Sequence, residues 1–204
     1  DSPNNPTGQS HPVSFIGKAV ALCESTIVID EAYGEFARDN WLSSMRGKVL
    51  PANVVVLKTL SKAWGLAGLR LGYAVCGKDS ASALNAARSP FNVNILSGTA
   101  AEIILEHSEV MLARVKLLCG IRDGFISLVN RLQGWRAFSS DANFVLIRAP
   151  FPWSSFASSL GDLCLKRFAL SSDTEDSTCW LRVSIGTEED MESVISLFDT
   201  MQRR

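Results

Sequence analysis

Apolar positions in this chain follow two periods, and the changes between them mark the elements. Four consecutive apolar residues, Val54 to Leu57, read as a strand buried on both faces, as in a parallel sheet covered by helices. A second apolar run, Leu71 to Cys76, ends at Gly77, and a β-branched run from Thr26 to Ile29 leads into Asp30-Glu31-Ala32-Tyr33. Helical spacing of Val13, Phe15, Ile16, Ala19, Val20 and Leu22 predicts a helix over Val13 to Cys23. Ala81 to Ala87 predicts a shorter helix, stopped by Ser89-Pro90. Gly34 to Ala52 is polar and broken and reads as a surface connection, with Trp41 and Leu42 as its main buried candidates.

From Leu96 to about Leu132 the helical pattern is nearly continuous. That much helix exceeds an ordinary globular element, so a break is expected near Ser108 or Gly120. The last third reads as α+β. Asn143 to Arg148 predicts a strand, Phe156 to Lys166 a helix, and Trp180 to Ile185 a strand with one face buried. A closing helix carries the stripe Met191, Val194, Ile195 and Phe198, with Thr187 as its expected N-cap and acids in its first turn.

Composition narrows the function classes. The chain has 204 residues, 20 basic and 21 acidic, for a net charge of -1. That balance gives no electrostatic reason to expect nucleic acid or a membrane as partner. No apolar stretch approaches the roughly 20 residues that span a bilayer, and no signal peptide is visible. Cys23, Cys76, Cys119, Cys164 and Cys179 are odd in number and form no C-x-x-C pair, so they read as reduced cytosolic residues. The imidazoles, His11 and His107, are far apart and unpaired with cysteine, so no metal site is expected; His107 reads as an exposed helix residue. The chain begins inside a loop rich in turn formers with no preceding strand to anchor it, and a truncated chain or a fragmentary gene is the expectation.

The candidate chemistry lies just past the first apolar strand. Thr59, Ser61 and Lys62 form a cluster of hydroxyls around one amine, followed by Gly65, Gly68 and Gly72 with Arg70 among them. Hydroxyls, turn amides and a guanidinium suit a phosphate group. An amine held nearby can condense with an aldehyde. The glycines do not fit G-x-G-x-x-G, and no G-x-x-x-x-G-K-[ST] occurs. Asp30, at the carboxyl end of a buried parallel strand, lies where open α/β sheets bind ligands, although a helix N-cap is the simpler role. Asn5 before Pro6 could simply start a turn, and Arg182 among apolar strand residues could be an outward-facing charge.

Five blocks carry a resemblance. S-K-A-W-G-L-A-G-L-R-L-G, P-N-N-P-T-G, D-E-A-Y, P-F-N-V-N and L-R-V-S-I-G-T resemble segments of the fold-type I pyridoxal-phosphate enzymes, specifically the histidinol-phosphate aminotransferase group. The resemblance covers essentially the whole chain but only the C-terminal half or so of the family. It implies an α/β fold: the C-terminal part of a mostly parallel sheet domain over 1–94, then a bridging helix and a small α+β domain over 95–204. It implies pyridoxal 5'-phosphate as cofactor, with Lys62 as the lysine that carries it. Thr59, Ser61 and Arg70 would hold the phosphate, Asn5 and Tyr33 the phenolic oxygen, and Asp30 the pyridine nitrogen. Arg182 would bind the substrate carboxylate as a bidentate fork, and Glu31 would be structural.

The implied reaction is a transamination between small amino and keto acids, histidinol phosphate with imidazole-acetol phosphate and glutamate with 2-oxoglutarate, in a cytoplasmic homodimer whose partner subunit completes each site. One departure bears on substrate. The family usually carries a further arginine in a V-R-D stretch, whereas Leu165 to Asp173 offers Arg167 or Lys166 out of register. A threonine-phosphate decarboxylase of cobalamin synthesis shares the lysine, aspartate and asparagine blocks, while P-F-N-V-N and L-R-V-S-I-G-T favour the aminotransferase. A non-catalytic product of a broken gene is the reading from a different class.

Overall fold

A computed structural model describes residues 1–156, 165–168 and 178–203. Contacts divide the chain into two units, Asp1–Asn4 with Ser10–Val115 and Asn5–Gln9 with Lys116–Arg204.

In the first unit, helix α1 (Val13–Leu22) follows Pro12, whose fixed φ suits a helix start. It buries Ile16 and Val20, one turn apart, against Ile29, Trp41, Val54 and Val56. Strand β1 (Ile27–Asp30) pairs in parallel with β2 (Val54–Thr59), setting Asp30 beside Leu57. Between them, Gly34–Phe36 forms a 3-10 turn and Trp41–Ser44 the short helix α2, capped by the Asn40 side chain on Ser43 N–H. Trp41 is buried as its pattern predicts; Phe36, in the same connection, is buried too. Strand β3 (Gly72–Cys76) runs antiparallel to β2, with Thr59 beside Gly72. A side chain at Gly72 would sit 2.8 Å from the Lys58 carbonyl oxygen, so the close approach of these strands requires glycine.

Burial on β2 differs from the expectation of four covered residues. Val54, Val55 and Val56 are buried, but Leu57 is 38% exposed and Lys58 only 9%. Register explains this. Leu57 lies between Asp30 and Ala74, on the face that also carries the exposed Val28, whereas Lys58 lies on the face covered by α1 and α2. Helices α3 (Lys78–Ala87) and α4 (Ile95–Glu106) follow, then α5 (Ser108–Val129). The interruption falls at His107, as expected near Ser108, and Gly120 lies within α5. His107 has an exposed side chain.

In the second unit, β4 (Arg136–Ala137), β5 (Phe144–Ala149), β6 (Leu165–Phe168) and β7 (Cys179–Ser184) form an antiparallel sheet in the order β4-β5-β7-β6. Its core joins Phe125 and Val129 of α5, Val145 and Ile147 of β5, and Leu181 and Val183 of β7 to helix α6 (Glu188–Gln202). Trp135 stacks on Phe198 at 4.0 Å between ring centroids. Thr187 and Asp190 form a reciprocal capping box at the start of α6, and Met191, Val194 and Phe198 are buried, while Ile195 packs partly buried against the same core.

The helix expected over Phe156 to Lys166 needs correction. Phe156 closes a 3-10 turn, and Leu165 and Lys166 open strand β6, paired with Val183 and Arg182 of β7; residues 157–164 lie outside the described residues. A free β7 edge rewards pairing more than local helical spacing rewards a helix. Among the described residues, no helix is long and apolar enough to cross a membrane, and no group of three or more His, Cys, Asp or Glu side chains is placed to hold a metal.

Candidate functional site

The carboxyl ends of β1 and β2 carry most of the chemistry. Asp30 closes β1, and its Oδ1 accepts from the Ala32 N–H at 2.9 Å, turning the chain away from the strand. The ladder continues one residue further, because Glu31 N–H donates to the Leu57 carbonyl at 3.0 Å. At the end of β2 the Thr59 hydroxyl accepts from the Ser61 N–H at 3.1 Å and donates to the Leu71 carbonyl at 3.3 Å. That clasp shapes the turn bearing Ser61 and Lys62. The Lys62 Nζ sits 5.3 Å from the centre of the Tyr33 ring, which is buried. Asp30 and Thr59 line one cleft of about 420 Å3, together with Ala32, Leu57, Lys58, Gly72, Tyr73 and Ala74.

Arg70 is exposed, and its Nη1 donates to the Ala67 carbonyl at 3.1 Å. Its φ of 52° is the one left-handed backbone conformation of a non-glycine among the described residues. It lines another cleft, of about 300 Å3, with Asn92, Asn94 and Ser97. The first unit therefore brings Lys62 to Tyr33 and Asp30 to Thr59, and sets Arg70 in a different cleft from that last pair.

In the second unit, residues far apart in sequence meet. Arg182, on the polar face of β7, donates from Nη1 to Asn5 Oδ1 at 2.9 Å, and its guanidinium lies 5.0 Å from the centre of the Phe144 ring. Alternation along β7 predicts that face; the partner on it does not follow from alternation.

One cluster beside the site does not follow from the local sequence patterns. Lys58 Nζ lies 2.9 Å from Glu35 Oε1 and 3.6 Å from Glu31 Oε2, with all three side chains at most 10% exposed. Glu31 Oε1 also accepts from the Leu42 N–H at 3.0 Å. Burial pushes the Glu31 carboxyl above its ordinary range, against the opposing pull of the Leu42 N–H and Lys58. Burial likewise raises the phenol of Tyr73, which faces Lys58 across the β2–β3 pair. The available signal was a lysine inside an apolar strand and two acids one helical turn apart.

An amine, an acid and hydroxyls at the carboxyl ends of α/β strands define a class, and the fold agrees with it. The histidinol-phosphate aminotransferase from Sinorhizobium meliloti, solved in complex with pyridoxal-5'-phosphate, superposes with a TM-score of 0.82 at 25% identity, covering 99% of this chain and 56% of that one. The L-threonine-O-3-phosphate decarboxylase from Porphyromonas gingivalis shares the fold at a TM-score of 0.82 and 23% identity, covering 100% of this chain and 63% of that one. The fold is thus that of the fold-type I pyridoxal-phosphate transferases.

In sequence, the histidinol-phosphate aminotransferase of Ruminiclostridium cellulolyticum is 34% identical over 192 residues, 92% of this chain and 51% of the relative. The pattern of the aminotransferase class I and II family matches residues 1–198, and the chain belongs to that family. It spans about half the length of the curated relatives it matches.

Proposed function

We propose that the chain contributes to a pyridoxal 5'-phosphate-dependent transamination of the histidinol-phosphate aminotransferase kind, with small amino and keto acids as substrates. The observation that carries this is the pairing at the strand ends: the Lys62 amine beside the buried Tyr33 ring, and Asp30 and Thr59 on one cleft. The donor set fits the cofactor. A carboxylate suits a protonated pyridine nitrogen, hydroxyls and a guanidinium suit a phosphate, and an amine suits an aldehyde. When bound, the cofactor supplies an electron sink for charge developing on the substrate α-carbon.

The chain's own residues take the remaining roles. Lys62 would carry the cofactor and, once free as an amine, would take the α-proton as general base. Asp30 would keep the pyridine nitrogen protonated, and Thr59, Ser61 and Arg70 would hold the phosphate, a role for which the Arg70 guanidinium has to leave the Ala67 carbonyl and turn out of the cleft it lines. Tyr33 and Asn5 donate to the phenolic oxygen. Asn5 Oδ1 accepts from Arg182, and the Nδ2 end of the same amide has the donor polarity a phenolate needs. Arg182 receives the substrate carboxylate through its planar fork.

We place residues 1–94 in the cofactor-binding domain and 95–204 in the bridging helix and small domain. The working state is a cytoplasmic homodimer with no nucleic-acid or membrane partner. Nothing in the geometry favours the decarboxylase over the aminotransferase, and the blocks P-F-N-V-N and L-R-V-S-I-G-T favour the latter.

The test is an absorbance spectrum of the purified chain with pyridoxal phosphate beside Lys62→Ala. A visible band that borohydride removes, and that the variant lacks, is the expected result. Identical spectra for the two proteins would overturn the assignment of Lys62. Conversion of histidinol phosphate with 2-oxoglutarate then tests the substrate, and release of carbon dioxide from threonine phosphate would transfer the chain to the decarboxylase reading.

A further inference from the structure

Lys58 is among the residues that line the cleft of Asp30 and Thr59, but its side chain leaves β2 on the opposite face, toward the turn that follows β1. Its surroundings nonetheless connect it to the site. The amine bridges Glu31 and Glu35, two acids that bracket Tyr33 in the turn leaving β1. Glu31 is further held through its own N–H on Leu57 and its carboxylate on the Leu42 N–H. Gly34, inside the bracket, accepts the Asn40 amide at its carbonyl, and a side chain there would come within 2.9 Å of Lys58 Nζ. The turn is thus folded tightly around one amine, and the residue it presents is the tyrosine beside Lys62.

Burial alone does not account for this arrangement. Two acids and one amine leave the cluster short of positive charge, and Oε2 of both Glu31 and Glu35 is buried without a hydrogen bond among the described residues. Buried ion clusters of this kind add little net stability, and their best-attested use is to fix a register. The register fixed here is that of Asp30–Glu35 against β2. Strand β2 carries Lys58 and leads directly into the turn with Lys62, so one strand holds both the clamp and the amine that the clamped tyrosine meets.

We infer that Lys58 is a positioning residue: by binding Glu31 and Glu35 from the back of the sheet, it sets Tyr33 against Lys62 and so holds the Lys62 amine where an aldehyde in the site can reach it. This rests on the reading of Lys62 as the cofactor-bearing lysine. The groups facing the Lys58 amine are Glu31 and Glu35 from the turn and Tyr73 from β3, with the Leu42 N–H of α2 on the far side of Glu31.

The experiment uses the intact chain with pyridoxal phosphate, trapped by borohydride as a secondary amine and located by peptide mass. The readout is labelling of Lys62 relative to the exposed Lys18 and Lys78, measured well below the melting temperature of each variant. The wild-type chain labels Lys62 in preference. Lys58→Met lowers that preference about tenfold, within the ~100-fold that a misplacement of about 1 Å can cost, and Lys58→Arg restores most of it. A lower melting temperature for Lys58→Met with unchanged preference would overturn the inference and leave Lys58 a stability residue. Should Lys58→Met fail to fold, Glu35→Met removes the 2.9 Å contact with a side chain of similar length, and an unchanged preference there overturns the inference equally. No preference for Lys62 in the wild-type chain would overturn the assignment of Lys62, and this inference with it, a result separable from the other two.

Discussion

Arg70 offers a substitution whose effects on stability and on binding have opposite signs. Its backbone is left-handed, with φ 52° and ψ 45°. For a residue with a Cβ that conformation costs roughly 1–2 kcal/mol, a cost glycine escapes. Glycine in turn loosens the unfolded chain by about 0.4–1 kcal/mol. Both small substitutions also forfeit the exposed hydrogen bond to the Ala67 carbonyl, a contact worth about 0.5 kcal/mol. Arg70→Gly should therefore be more stable than Arg70→Ala by about 1 kcal/mol, or about 2–4 °C for a chain of this size. Relative to the parent, the glycine variant should be equal or slightly better.

Binding should move the other way. Hydrogen bonds to a charged group contribute about 1.5–3 kcal/mol each, so loss of the guanidinium should weaken pyridoxal phosphate binding ~10- to 100-fold in both variants. Pyridoxal without its phosphate should bind parent and variants alike. Denaturant unfolding gives the first comparison, and titration of the absorbance band with the two ligands gives the second. A glycine variant less stable than the alanine variant would refute the strain argument. Unchanged affinity for pyridoxal phosphate would refute the phosphate role.

Four further substitutions have outcomes set by the packing and charges. Phe198→Ala, which removes a fully buried ring stacked on Trp135, should cost about 3–5 kcal/mol in denaturant unfolding. Gly72→Ala forces a methyl group against the Lys58 carbonyl and should cost about 1–3 kcal/mol, with faster amide exchange in β2 and β3. Thr187→Ala removes the N-cap of α6 and should cost about 1 kcal/mol. Asp190 is held below its ordinary range by the Thr187 N–H and then its hydroxyl, so its contribution is present above pH 3.8 and fades as pH falls through its lower folded value; in Thr187→Ala that acid-side loss should shrink. Glu31, raised by burial, is the opposite case. Its contribution is full below pH 4.5 and is lost as pH rises through its raised folded value, so Glu31→Gln should flatten the stability profile above pH 4.5.

The residues behind these outcomes differ in how far the sequence discloses them. The stripe of α6 is legible because burial repeats at the helical period, and the strand at Val54 because an unbroken apolar run marks a covered strand. The interruption at His107 is legible from length alone. Strand β6 is not, because Leu165–Phe168 is decided by the free edge of β7, and pairing partners leave no local period. The Arg182–Asn5 contact joins the two ends of the chain, and only a family resemblance could have brought them together in advance. Lys58 stands between these extremes. Alternation along β2 places it on the side of Val54 and Val56, both fully buried, and a buried ammonium requires counter-charge. Glu31 and Glu35, one turn apart just beyond the parallel strand, are the acids within reach of that position. A charge on the buried phase of a strand, with an acid pair after the neighbouring strand, is therefore a readable sign of a clamp, provided that the register of the two strands is inferred before the charge is assigned to solvent.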